Sequence, residues 1–139
     1  MKMPQLALNT VGLSVDDTER AVGYSVAAGM AHIDFHPGNE RDGVARYLQN
    51  NPGARSSLFL NTKIRKAPPG TSPEDAATRT RTQIEEDLKS LGLPYFDMLM
   101  LRDSPDCGVI QAQWAVLEEA LRSGKTKSVT HTSTFAKML

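Results

Sequence analysis

Cysteine is almost missing from this sequence. The one thiol, Cys107, excludes a disulfide framework and a cysteine-based zinc site, and it fits a reducing compartment. Net charge is missing too: 16 basic side chains balance 16 acidic ones. A chain so balanced does not hold nucleic acid through a strong positive field, so no nucleic-acid partner is expected. No apolar run approaches the roughly 20 residues that cross a bilayer, so no membrane-spanning segment is expected. The first residues, Met1 to Leu8, carry only a short apolar stretch and soon meet Asp16 and Asp17. That is neither a secretory signal nor the Arg- and Ser-rich, acid-poor pattern of a transit peptide. The expected setting is cytoplasmic, the alternative being an organelle reached after a transit peptide has been removed. Low-complexity tracts are missing, as are Asn-Gly and Asp-Gly hairpin signals between alternating runs. The one Asp42-Gly43 pair falls inside a helical pattern.

What is present is a globular composition: 40% hydrophobic and 23% charged residues, with no trace of the polarity of a disordered chain. A single domain of 139 residues can bury roughly two thirds of its unfolded surface. Short apolar runs alternate with amphipathic stretches. Ser14 can cap a helix, with Asp17 three residues on as reciprocal acceptor. Val22 and Val26 then share a face, and Gly29 suits a left-handed cap. Ala31-His32-Ile33-Asp34-Phe35 reads as a strand, and about Glu40 to Leu48 as a helix stopped by Asn51-Pro52-Gly53. Leu58 to Lys63 is a second strand. Ser72-Pro73-Glu74-Asp75 starts a helix with a cap, a first-turn proline and acids against the dipole. Ile84, Leu88 and Leu91 share its face, and Gly92 stops it. Phe96 to Leu101 is a buried-strand run. Ile110, Trp114, Leu117 and Leu121 make a helical stripe that Gly124 ends. Lys127 to Thr130 begins another strand, and Phe135 to Leu139 the start of another helix. Strands joined by helices, without hairpins, mean a parallel α/β fold.

In such folds the C-terminal strand ends carry function. Asp34, Lys63 and Arg102 stand at three of those ends. Alternation places Asp34 with His32, Lys63 with Phe59 and Asn61, and Arg102 with Met98 and Met100. If these faces line a barrel, three charges converge at one rim. The alternative is an ordinary satisfied Asp–Lys ion pair. His32-x-Asp34-x-His36 has workable metal-ligand spacing, but no metal is expected. Cys107 reads as a loop spectator, His131 as a strand residue, and the Lys63-Ile64-Arg65-Lys66 cluster as a solvated loop that could meet a phosphate.

Six segments in order resemble the aldo-keto reductases: Leu8-Asn9-Thr10-Val11-Gly12-Leu13; His32-Ile33-Asp34; Gly38-Asn39-Glu40; Asn61-Thr62-Lys63; Ser90 to Asp97; and Trp114 to Glu119 with Gly124-Lys125. They cover nearly the whole chain. The resemblance implies a (β/α)8 barrel, usually about 250 residues long, and hydride transfer from NADPH to a carbonyl. It implies a catalytic Asp, Tyr, Lys and His. Asp34 and Lys63 match the first and third. Pro37 stands where the family tyrosine would, in a segment two residues short. Arg102 stands in the place of the histidine that closes the fourth strand. Proline has no proton to give. Arginine cannot act as a general acid near neutral pH, although its fixed charge can polarise a carbonyl. His36 could replace the tyrosine as proton donor, since histidine exchanges protons near neutral pH; the alternative is a loop histidine facing water. For the cofactor the resemblance points to Thr10 and Asp34, and to Thr132 and Ser133 in place of the family's Ser-Asn pair.

The expectation is therefore one partial-barrel domain over residues 1–139: the N-terminal portion of a TIM-type barrel, about four and a half βα units. Its function would be NADPH-dependent reduction of small carbonyl compounds, weak or lost here. The alternative is a non-catalytic structural or regulatory subunit of a larger assembly. Half a barrel leaves sheet edges and apolar strand faces open, so a continuing chain, a second half-barrel or another protein partner is expected to cover them.

Overall fold

A computed structural model describes residues 2–132. The chain runs β1 (Ala7–Asn9), α1 (Val15–Ala27), β2 (His32–Phe35), α2 (Asn39–Asn50), a 3-10 turn (Ala54–Ser57), β3 (Phe59–Lys63), α3 (Pro73–Leu91), β4 (Met98–Leu101), α4 (Cys107–Arg122) and β5 (Val129–His131). All five strands are parallel and pair in sequence order, β1-β2-β3-β4-β5. Four βα units and a fifth strand make the first portion of a (β/α)8 barrel. The helix start expected at Phe135 to Leu139 lies outside the described residues.

The helix boundaries have local causes. Ser14 Oγ accepts the Asp17 amide at 3.1 Å, and Ser72 Oγ accepts the Asp75 amide at the same distance, each satisfying a first-turn donor. Gly92 closes α3 in the left-handed region (φ 66°), where a side chain would be strained. Gly43 serves a different need. A Cβ there would lie 2.5 Å from Thr18 Cβ and 2.6 Å from the Val15 carbonyl oxygen. Only glycine lets α2 approach α1 so closely.

The apolar core lies between the sheet and its helices. Ile33, Phe35, Leu60, Leu99 and Leu101 point outward against Val22, Val44, Ile84, Leu88 and Leu117. The opposite face of the sheet, the future barrel interior, carries the polar set. His32 and Phe59 meet there edge to face, ring centroids 4.7 Å apart. Phe59 and Met98 on this face are already buried among the described residues. The apolar inner strand face is thus less open than a half-barrel suggests, while β1 and β5 each keep one unpaired edge. At the N-terminal ends of the strands, Asp97 accepts the Leu60 amide at 2.8 Å and pairs with Arg55, also at 2.8 Å, locking β3 to β4.

The α4 stripe differs from the expectation. Leu117 is buried, Ile110 and Trp114 are half-buried, and Leu121 is exposed. The buried face instead runs through Val109, Gln113, Val116, Leu117 and Ala120. The cause is α3: Gln113 Nε2 donates to Thr80 Oγ1 at 3.1 Å and to the Arg65 carbonyl at 3.3 Å, which turns this side inward. Ile110 and Trp114 are left at the β5 margin, where Trp114 meets His131 edge-on. No helix among the described residues is long and apolar enough to cross a membrane.

Candidate active site

The register of three strands brings Asn9, Asp34 and Asn61 side by side, because Asn9 pairs with Asp34 and Asp34 with Asn61. In a parallel sheet such neighbours point the same way. Asn9 Nδ2 donates to Asp34 Oδ2 at 2.9 Å, and Asn61 Nδ2 donates to Oδ1 at 2.6 Å. The Lys63 ammonium pairs with the same Oδ1. Only 8% of the Lys63 side chain and 16% of the Asp34 side chain is exposed. Burial of both charges is costly, and it is offset because each oxygen of the carboxylate has a donor. Two fixed amides prevent the carboxylate from turning, so they also fix the ammonium. The backbone beneath Lys63 is held too: its carbonyl accepts from Gln83 Nε2 at 2.9 Å, and Gln83 Nε2 reaches Asp87 at 3.1 Å.

A second carboxylate sits behind this cluster. Glu40, in the first turn of α2, is buried and takes four donors: Thr10 Oγ1 at 2.9 Å, Gly12 N–H at 3.0 Å, His36 N–H at 2.9 Å and His36 Nδ1 at 3.0 Å. Burial alone would raise its pKa. The bonds from Gly12, Thr10 and His36 outweigh that and hold the carboxyl below its usual 4.5. The β1–α1 loop, the β2 end and α2 are thereby tied at one point.

The residues expected at the site are thus spread over three surroundings. Asp34 and Lys63 come together. His36 stands on the rim, bound to Glu40. Thr10 is fully buried with its hydroxyl given to Glu40, so its side chain offers nothing to a ligand. Arg102 does not join the other two charges. It lines a concavity of about 390 Å³ with Leu101, Asp103, Ile110, Trp114, His131 and Thr132, and among the described residues it makes no ion pair or hydrogen bond. Thr132 is exposed beside it, its hydroxyl 3.5 Å from the Leu101 carbonyl. Ser133 lies outside the described residues. His32 Nδ1 lies 3.3 Å from the Pro4 carbonyl, and His36 bonds Glu40, so the two histidines have separate partners. Among the described residues no three His, Cys, Asp or Glu side chains converge as metal ligands. Lys66 pairs with Asp103 at 2.9 Å, and Cys107 is an exposed residue at the start of α4.

Three residues that hold these side chains in place were not singled out in the sequence. Asn9 and Asn61 carry a signal once register is known, since each occupies the inner-face slot beside Asp34. Glu40 was legible only as part of the Gly38-Asn39-Glu40 segment, because its donors come from three separate stretches of chain.

A buried, clamped Asp–Lys pair stands at the C-terminal ends of parallel strands whose order and connections are those of the first portion of a (β/α)8 barrel. The model of the aldo/keto reductase family matches residues 5–137, and the chain belongs to that family. It is 31% identical over 130 residues to an aldo-keto reductase of Mycobacterium tuberculosis, covering 91% of this chain and 44% of that protein. It is 33% identical over 130 residues to one from Mycobacterium ulcerans, with the same coverage. Among solved structures, an aldo/keto reductase from Brucella melitensis superposes with a TM-score of 0.81 at 25% identity, over 95% of this chain and 51% of that one. The Bombyx mori aldo-keto reductase, solved in complex with NADP, gives 0.72 at 25% identity, over 93% and 46%. The chain therefore spans about half the length of the relatives it matches.

The family implies a nicotinamide dinucleotide. The described residues that bear on its nicotinamide end are the Asp34–Lys63 pair on β2 and β3 and the exposed Thr132 after β5, with β4 between them. Thr10 is fully buried, its N–H donating to the Asp34 carbonyl at 3.1 Å and its carbonyl accepting from the Leu13 N–H at 3.1 Å, so its backbone is committed as well.

Proposed function

We propose that this chain is the N-terminal half of an NADPH-dependent reductase of small carbonyl compounds, with turnover weaker than that of relatives bearing the family's tyrosine. The observation that carries the reading is the clamped Asp34–Lys63 pair: two amides and an ammonium on one carboxylate hold a cation at the rim. When bound, the nicotinamide supplies the hydride. Lys63 presents a fixed positive charge where negative charge develops on a carbonyl oxygen, and Asp34 keeps it in place. Asp34 and Thr132 border the nicotinamide end. Arg102, whose charge has no partner among the described residues, adds polarising charge from the next strand end.

A second reading, a non-catalytic reductase-like subunit of a larger assembly, draws on Pro37. That residue cannot donate a proton, and a proton donor contributes roughly 10²–10⁴-fold. The deciding experiment compares the protein with the double variant Pro37→Tyr/Arg102→His in NADPH consumption with small aldehydes. The weak-reductase reading expects slow but measurable turnover that rises in the double variant. No NADPH binding and no turnover in either protein would leave the subunit reading. Wild-type turnover as fast as the variant's would remove the idea that the replacements weaken it.

A further inference from the structure

The β2–β3 register runs from His32 opposite Phe59 to Phe35 opposite Thr62; His36 is the first residue after β2, and Lys63 is the last of β3. His36 thus stands at the same strand-end rim as Asp34 and Lys63. The imidazole is not free to turn, because Nδ1 is 3.0 Å from Glu40 Oε2 and the same oxygen takes the His36 backbone N–H at 2.9 Å. The hydrogen bonds to Glu40 keep it ionised, and a carboxylate can only accept. Nδ1 must therefore carry the proton that faces Glu40. Nε2 is the nitrogen left for another partner, on a side chain that keeps 23% of its surface exposed. A carboxylate behind Nδ1 is the arrangement that lets a histidine move protons through Nε2. The other two histidines have no such backing: His32 faces the Pro4 carbonyl, and His131 meets the Trp114 ring.

We propose that His36 is the proton-transferring group of this site and that Glu40 is the positioning residue that orients it. The proposal rests on the reductase reading above and names the group that does what the missing tyrosine would do. In the reduction, two electrons arrive at the carbonyl carbon as a hydride from a reduced nicotinamide dinucleotide, and the C=O π pair moves onto oxygen. The doubly protonated His36 ring gives its Nε2 proton to that oxygen, so the N–H bond breaks as the O–H bond forms. The alcohol leaves, and His36 remains neutral with its hydrogen on Nδ1 until water returns a proton to Nε2. Lys63, across the strand gap, steadies the developing charge on oxygen and keeps its own proton. Glu40 touches none of the reacting atoms.

Two measurements on the protein test this. Nitrogen-15 NMR of histidine-labelled protein reports which ring nitrogen carries the proton, with His36→Asn assigning the signal. The expected neutral ring is protonated on Nδ1, and Glu40→Gln shifts it towards the Nε2–H form. A wild-type ring already in the Nε2–H form overturns the orientation. In turnover of 4-nitrobenzaldehyde with NADPH, His36→Asn is expected to lose roughly 10²–10⁴-fold in kcat, with KM and NADPH affinity, read from the cofactor's fluorescence, little changed. Glu40→Gln is expected to lose a smaller share of kcat, again with KM held. A His36→Asn variant as fast as wild type overturns the proposal and leaves the reductase reading standing. A wild-type protein that binds no NADPH and turns nothing over defeats that reading, and the proton role with it.

Discussion

The two sides of the strand-end rim are built differently. On the β1–β3 side every charge is enclosed: Asp34 has three donors and Glu40 four, each supplied by a neighbouring strand or loop. On the β4–β5 side Arg102 is half-buried with no partner among the described residues, and Thr132 is exposed. The enclosed side is held by its own first three βα units. The open side has charge and concavity, with no hydrogen bond or ion pair to Arg102 among the described residues. A half-barrel can therefore complete the part of a site that lies between its inner strands and leave the part at its edge strand unfinished.

Substitutions on the two sides should differ in size accordingly. The largest effect is expected from Glu40→Leu, which strands the Thr10 hydroxyl, two backbone N–H groups and the His36 ring. Urea unfolding should show a loss of about 3 kcal/mol or more. The loss should depend on pH in a defined direction. The folded Glu40 carboxyl lies below 4.5, so its stabilisation is fully present above that value and fades as pH falls through the folded-state value. The gap between wild type and Glu40→Leu should be widest above roughly pH 5 and shrink in acid. A gap that grows in acid would contradict the four-donor carboxylate.

Lys63→Met comes next, at about 2 kcal/mol, because Asp34 keeps both amides but loses its cation. Any turnover should vanish while circular dichroism stays native. Unchanged turnover would remove Lys63 from the chemistry. Asn9→Ala should cost about 1 kcal/mol, since it loses two exposed hydrogen bonds, the one it donates to Asp34 and the one it accepts from the Val11 N–H. The smallest effect belongs to the open side: Arg102→Gln should change thermal stability by less than about 0.5 kcal/mol. If its charge polarises substrate, the rate of aldehyde reduction falls even so. A large stability loss at Arg102 would show that the two sides are not so different.

Much of the fold could be read from local pattern. The caps at Ser14, Ser72 and Gly92 and the apolar runs of β2, β3 and β4 lie where expected, because each signal is contained within a few residues. β1 had no such run: its Ala7 and Asn9 are exposed. The α4 stripe was misjudged because Gln113 is a polar residue turned inward by a partner on another helix. At the site, alternation and strand-end position placed Asp34 and Lys63 together, and the resemblance added the roles it implies for them. The expected third charge, Arg102, instead lines the concavity with Ile110, Trp114, His131 and Thr132.

By itself the sequence determined the family and the order of α1 to β5, though not β1, because caps, breakers and hydrophobic period act over one or two turns of chain. The tertiary structure alone decided which polar groups became partners. Asn9, Asp34 and Asn61 stand in three separate segments, and only strand register aligns them. Glu40 finds its donors only where two loops and a helix start converge. A buried charge is stable only when all its partners arrive together, and that is a property of the assembled sheet rather than of any one stretch of the chain.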